Sequence, residues 1–169
     1  MRAVVEGLAT RLADVLAALA GAPVTAVHAD LHLDNILFGP VGAAPPVTVL
    51  DWQGISRGVA AVDVALFLVG SLAAEERRAA EDTLLRRYHT SLVEHGVDGY
   101  PLGRLRDDYC RAMLLHLVGT VGWLTGADPT TLAGRERALV DAALGDGRLI
   151  AALLDHAAAG LVAASRSVS

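Results

Sequence analysis

The stretch that decides the fold is Val-Thr-Ala-Val-His-Ala-Asp-Leu-His-Leu-Asp-Asn-Ile-Leu-Phe, residues 24–38. Its two ends are apolar and predict short strands near residues 25–28 and 35–38, with a polar loop between them. A third apolar segment, near residues 47–50, ends in Asp51. Because polar side chains follow these neighbouring strands, we expect the loop residues and Asp51 to converge on one cleft.

Three side chains of these segments suit phosphoryl transfer. Asp30 can orient an acceptor hydroxyl and take its proton, while Asn35 and Asp51 can offer hard oxygen ligands to Mg²⁺. The spacing His-x-Asp-x-x-x-x-Asn, followed by a strand that ends in Asp, is typical of the catalytic segment of kinase-like phosphotransferases. The alternative interpretation is a turn-forming cluster of Asp and Asn between strands.

The chain resembles the C-terminal lobe of the aminoglycoside phosphotransferase and choline kinase-like superfamily, most closely its ecdysteroid kinase-like branch. The resembling stretches are VHADLHLDNILF, VLDWQGISRGVAAVDVALFLVGSL and, more loosely, LLRRYHTSLVEHGVDGY. The resemblance covers about residues 24–120, and its sharp motifs lie within about residues 24–72.

The resemblance implies a role for each motif residue. Asp30 would be the catalytic base, and Asn35 and Asp51 would be the Mg²⁺ ligands. His28 and Asp63 would support the loop, Asp63 from the helix that follows. ATP and Mg²⁺ would be the cofactors, although the motifs identify no residue that binds the nucleotide.

One position departs from the family pattern. Ala29 stands where the family usually has glycine. Alanine disfavours a positive φ, so the loop is strained if this position requires one.

The expected fold class is α+β: a single domain, residues 1–169, with the architecture of a protein kinase-like C-terminal lobe. A few short strands carry the site and a helical bulk follows them. An N-terminal helix is expected to end at Gly21 and Pro23, and residues 52–61 are predicted to form a loop. Further helices are predicted near residues 62–73, 75–95, 102–125, 131–144 and 147–164.

The chain has no lysine, since its 14 basic residues are all arginine, and it has no G-x-G-x-x-G motif. In the resembling superfamily a small N-terminal lobe supplies a nucleotide-covering loop and a lysine that pairs with the phosphates. We therefore expect a catalytic lobe without its N-terminal lobe. Its activity alone should be low, and a complementary N-terminal lobe or a second copy of the chain is an expected partner.

Composition excludes several classes of function. The net charge of −5 argues against a general nucleic-acid surface. The longest apolar stretch, residues 64–72, is too short to cross a membrane, so no membrane partner is expected and a cytoplasmic location is the default. The single cysteine, Cys110, excludes an internal disulfide framework and is expected to be a buried helical thiol.

Other residues remain open. Trp52 could cover the cleft, but core packing is favoured. Trp123 and Tyr109 could line the acceptor pocket, and core packing is at least as well supported. The loop residues His32 and Asp34 are expected to be solvated. The helical histidines lack metal-ligand spacing and are interpreted as structural: His89, His95, His116 and His156.

Two functions are consistent with this pattern. The first is an ATP-dependent phosphotransferase that acts on a hydroxyl group of a small molecule, an alcohol or an amino-alcohol. The second is a non-catalytic, pseudokinase-like remnant that binds a partner protein or lobe. The acceptor itself is not identified by the motif, because acceptor pockets vary while the catalytic segment does not.

Overall fold

The computed structural model describes residues 12–126 and 147–156, with the side chains of residues 121–126 left out. Within these ranges the fold is α+β, as predicted: short antiparallel strands near the beginning and a helical bulk after them, consistent with a kinase-like C-terminal lobe. None of the helices in this part of the chain combines the length and the apolar character that a membrane crossing requires.

The strands form two antiparallel pairs. Strand β1 (Val24–Val27) pairs with β4 (Ser56–Val59), and β2 (Ile36–Phe38) pairs with β3 (Val47–Val49). The residues between β2 and β3 form the tip of a hairpin, as expected from their glycine and proline content.

Strand β4 corrects the prediction of a loop over residues 52–61. Its sequence, Ser-Arg-Gly-Val, has little strand propensity of its own. The partner strand explains it, because a Cβ atom at Gly58 would lie 2.8 Å from Cγ2 of Val27, a core residue that is 4% exposed. Glycine therefore allows β4 to approach β1 closely, and the pairing rather than the local sequence produces the strand.

The helices follow the predicted periodicity closely. Helix α1 covers residues 12–20, and it is followed by α2 (Ala60–Ser71), α3 (Ala74–Glu94), α4 (Leu102–Gly126) and α5 (Arg148–Asp155). At the start of α3 the Glu76 carboxylate accepts the Ala73 N–H (3.0 Å), which satisfies a backbone donor that the helix leaves unpaired. The helix predicted at 131–144 and the end of the one predicted at 147–164 lie outside the described residues.

The hydrophobic core lies between α2 and α4, with α1 and α5 packed against them. Small residues on α2, Ala61 and Ala65, let the long side chains of α4 approach. The fully buried side chains of α4 and α5 include Leu105, Tyr109, Met113, Leu114, Leu149 and Leu153.

A buried polar cluster joins α3, α4 and α5. The Glu81 carboxylate accepts hydrogen bonds from Arg77, from the Tyr109 hydroxyl (2.8 Å) and from Nε2 of His156 (2.5 Å). Arg77 also donates to Asp155. The packing of α3, α4 and α5 brings these five residues together.

Candidate functional site

The loop between β1 and β2 presents the predicted site residues. It leaves β1 at His28 and ends in a 3₁₀ turn, Leu33–Asn35, immediately before β2. The turn buries Asn35, which is 6% exposed, while Asp30 keeps 53% of its side chain exposed. The loop thus buries Asn35 and leaves the Asp30 carboxylate open to solvent.

His28 is buried and uses both ring nitrogens. Nε2 lies 2.7 Å from the Leu50 carbonyl oxygen, an acceptor, so Nε2 carries the proton. Nδ1 then accepts the backbone N–H of Asp30 (3.3 Å). The ring also contacts the ring of Trp52, with centroids 4.8 Å apart. His28 therefore connects the loop to the segment that carries Asp51, which is what a supporting residue would do.

Leu50 is held from two sides. Its N–H donates to the Asn35 carbonyl oxygen (2.8 Å), and its own carbonyl accepts from His28. The hairpin register places Ile36 opposite Val49, so Asn35 and Leu50 lie at the same end of the hairpin. Asp51 is the next residue. The main chain therefore brings Asn35 and Asp51 to one end of the β2–β3 pair, although they are far apart in sequence.

Asp63, in the first turn of α2, holds the beginning of the loop. One carboxylate oxygen accepts the His28 N–H (2.6 Å) and the other accepts the Ala29 N–H (2.9 Å). Two N–H groups in a loop with no ladder partner are thus satisfied by a single charged acceptor. These are the contacts expected of a carboxylate that supports the loop.

Two non-glycine residues of the site adopt the left-handed conformation. Ala29 has a φ of 67° and Asp51 has a φ of 59°. A side chain with a Cβ atom pays about 1–2 kcal/mol in this region. The condition stated for Ala29 from the sequence, a position that requires positive φ, is met, and the Asp63 hydrogen bonds hold it there. Backbone strain of this kind is concentrated at functional sites.

The polar surroundings of Asp30 come from its own loop. Nε2 of His32 lies 3.6 Å from the Asp30 carboxylate and 3.2 Å from Nδ2 of Asn35. His32 is largely covered, whereas Asp34 is 93% exposed, so only Asp34 behaves as the solvated residue that was expected. His32 was expected to be solvated, and it is instead a covered neighbour of Asp30.

The donor set at the end of the hairpin fits a magnesium ion. Nδ2 of Asn35 donates to the Asp30 carbonyl oxygen (2.8 Å), which leaves the amide oxygen of Asn35 as the free donor atom. Asp51 is exposed and contributes a carboxylate, which contacts only Gln53 at 3.4 Å among the hydrogen bonds of the described residues. One amide and one carboxylate are typical of Mg²⁺ sites, where water and phosphate oxygens complete the coordination. No group of three or more His, Cys, Asp or Glu suited to a metal occurs in residues 12–126 and 147–156.

One expectation from the sequence is wrong here, and one of two open alternatives is confirmed. Trp52 is 48% exposed and lies beside His28, where its indole N–H donates to the Val49 carbonyl (3.0 Å), so it is not a core residue. Tyr109 is fully buried, which agrees with the core-packing alternative and not with a place in an acceptor pocket. The side chain of Trp123 lies outside the described residues. The exposed position of Trp52 follows from its place in a 3₁₀ turn, Trp52–Gly54, directly after Asp51.

A comparison with models of protein families gives a match. The model of the family DUF1679, described as "uncharacterized oxidoreductase dhs-27" and related to ecdysteroid and choline kinase-like proteins, matches residues 4–121. Neither the curated proteins nor the solved structures give a significant match. The matched residues contain the whole loop, the hairpin, Asp63, helices α1 to α3 and most of α4, so the chain belongs to the DUF1679 family.

Proposed function

We propose that this chain is the catalytic lobe of an ATP-dependent phosphotransferase, a kinase-like member of the choline kinase-like superfamily that phosphorylates a hydroxyl group of a small molecule. The observation that carries the proposal is the pair of hydrogen bonds at Leu50, whose N–H donates to the Asn35 carbonyl and whose carbonyl accepts from the His28 ring. They connect the loop that carries the exposed Asp30 carboxylate to the end of the hairpin where Asn35 and Asp51 lie. Ala29 and Asp51 have left-handed backbone there.

The reaction assigns one task to each group. Asp30 accepts the proton of the acceptor hydroxyl as its oxygen forms a bond to the γ-phosphorus of ATP, and the bond from that phosphorus to the ADP oxygen breaks. Asn35 and Asp51 would hold Mg²⁺, which supplies positive charge to the phosphate oxygens. His28 and Asp63 position the loop. The acceptor is an alcohol or an amino-alcohol.

Binding tests the metal half of the proposal. Trp52 is adjacent to Asp51 and partly exposed, so its fluorescence should report on Mg²⁺ and ATP once the second tryptophan, Trp123, is replaced by phenylalanine. We expect Mg²⁺-dependent ATP binding that Asp51→Asn weakens by about tenfold or more, since a charged ligand is lost. Asp34→Asn, a solvated acid of the same loop, is the matched control and should bind normally. Equal binding by Asp51→Asn would contradict the metal site.

Turnover tests the base. Over a panel of alcohols and amino-alcohols with ATP, Asp30→Asn should lower kcat by roughly 10²-fold or more and change the KM for ATP much less. Asp34→Asn again serves as the control. An Asp30→Asn variant that keeps near-full turnover would show that this carboxylate is structural.

A non-catalytic role in binding a partner protein or lobe is the second candidate, favoured by one observation. Large apolar side chains are exposed around the β2–β3 hairpin and the turn after Asp51, and they include Leu37, Phe38, Val41, Val47, Leu50, Trp52 and Ile55. Exposed apolar side chains that are grouped in this way are typical of an interaction surface, whereas singly scattered ones are not. Absence of nucleotide binding, together with an association that Phe38→Glu abolishes in sedimentation experiments, would favour this role.

An oxidoreductase of the dinucleotide-binding kind has less support, although the family description contains that word. Such enzymes use a parallel sheet with a glycine-rich turn at its switch point. The strands in the described part of the chain form two antiparallel pairs, and the sequence has no G-x-G-x-x-G.

A further inference from the structure

A cavity of about 350 Å³ lies beneath the loop that carries Asp30, between β1, α2 and α3. Its volume is at the lower end of the roughly 300–1,000 Å³ range of small-molecule sites. Leu31 closes one side, Phe67 and Leu84 face it from the two helices, and Thr25 lies on β1. Neither Asp30 nor Asp51 is part of its wall, so the cavity is separate from the phosphate-transfer position.

The wall of the cavity is largely apolar. The polar side chains in its wall are Thr25, Asp63 and Tyr88. Burial, together with the negative charge of Asp63, raises the pKa of the Tyr88 phenol, which keeps this hydroxyl protonated. The polar groups of the wall are therefore one carboxylate and two neutral hydroxyls.

Among the described residues, the Asp63 carboxylate has no cationic partner. Its contacts within the described ranges are the N–H groups of His28 and Ala29. A carboxylate offers about four acceptor positions, so two remain after these bonds. A partly buried carboxylate beside an apolar cavity attracts a cation that can bring N–H donors and leave its apolar body against the walls.

We propose that this cavity binds a small amphiphilic amine, with its ammonium group on Asp63 and Tyr88 and its hydrocarbon body against Leu31, Phe67 and Leu84. The site would be a regulatory one. The same carboxylate holds the loop at His28 and Ala29, so the amine contacts the group that fixes the backbone leading to Asp30. The proposal does not depend on phosphotransfer, since occupancy is measured without nucleotide.

The test uses three probes of one length: n-octylamine, n-octanol and octanoate. Calorimetry on residues 1–169 should show that octylamine binds roughly tenfold or more tightly than octanol, because the charge-assisted hydrogen bond is lost in the alcohol. Octanoate should bind more weakly still. In a ¹⁵N-correlated NMR spectrum octylamine should shift the amide signals of His28 and Ala29, whose hydrogens lie on the Asp63 oxygens.

Variants keep the test independent of loop stability. Asp63→Asn removes the charge but also weakens the loop, so it does not isolate the binding site. Leu84→Arg is the decisive change, because it places a cation at a partly exposed wall position of α3. This variant should not bind octylamine. Val93→Arg, at an exposed position of the same helix outside the cavity, should leave binding intact. Octanol binding as tightly as octylamine, unshifted amide signals of His28 and Ala29, or full binding by Leu84→Arg would each overturn the proposal.

Discussion

Replacing Ala29 with glycine should stabilise the protein. Ala29 has a φ of 67°, where a residue with a Cβ atom pays about 1–2 kcal/mol and glycine does not. Glycine loses about 0.5–1 kcal/mol more backbone entropy on folding, which offsets part of the gain. The net expectation is an increase of about 0.5–1 kcal/mol in the free energy of unfolding, or about 1–4 °C in Tm for a domain of this size.

Chemical denaturation of wild type and Ala29→Gly measures this difference. Ala26→Gly is the matched control: Ala26 lies three residues earlier in strand β1, away from the positive-φ positions, and its replacement should destabilise by about 0.5–1 kcal/mol. The two substitutions remove the same methyl group and should change stability in opposite directions. If Ala29→Gly is no more stable than wild type while Ala26→Gly behaves as expected, the left-handed strain at position 29 is refuted.

Two further substitutions probe other contacts. Gly54→Ala should destabilise by about 1–3 kcal/mol, because its Cβ atom would lie 3.1 Å from the His28 carbonyl oxygen and press the turn after Asp51 away from the loop. Gly70→Ala, on an open helix surface, should be neutral or stabilising in the same denaturation assay; a Gly54→Ala variant as stable as this control would contradict the close approach. The Cys110 thiol and the Glu81 carboxylate raise the pKa of His156 to about 10. Protonated His156 therefore stabilises the folded state, fully so below about pH 6.5, which is the pKa of histidine in the unfolded chain. The stabilisation is lost as the pH rises towards 10. Because 27% of the His156 side chain is exposed, solvent screening limits the contribution to the free energy of unfolding to about 1–2 kcal/mol. A His156→Gln variant that loses as much stability as wild type between pH 6.5 and pH 10 would refute this contribution.

The sequence predicts the local parts of this site well. The spacing of His28, Asp30 and Asn35 within one loop, and the apolar segments on either side, identify a strand–loop–strand unit without any tertiary information. The helices follow from their periodicity in the same way. The position of Asp63 came from the resemblance, since a carboxylate in a helix 35 residues after His28 shows no local sign of its hydrogen bonds.

What the sequence does not predict depends on packing between distant segments. Strand β4 exists because Gly58 fits against Val27, and no propensity in Ser-Arg-Gly-Val indicates it. The polar cluster is a second example. Glu81 lies on α3 and His156 directly after α5, 75 residues further along the chain, and an isolated histidine gives no sign of such a partner. The cavity beneath the loop is a third, since its walls come from three separate elements.

The two hydrogen bonds of Leu50 fix the base of the β2–β3 hairpin and do not involve its tip. The spacing of Asn35 and Asp51 depends on backbone bonds at the base, whereas the tip around Val41 and Gly42 is fully exposed and has a φ of 85° at the glycine. Residues added at such a tip change neither the register of β2 with β3 nor the bonds at Leu50. The tip is therefore a suitable position for inserting an epitope, a fluorophore-labelling tag or an affinity handle when the protein is purified or immobilised for binding measurements.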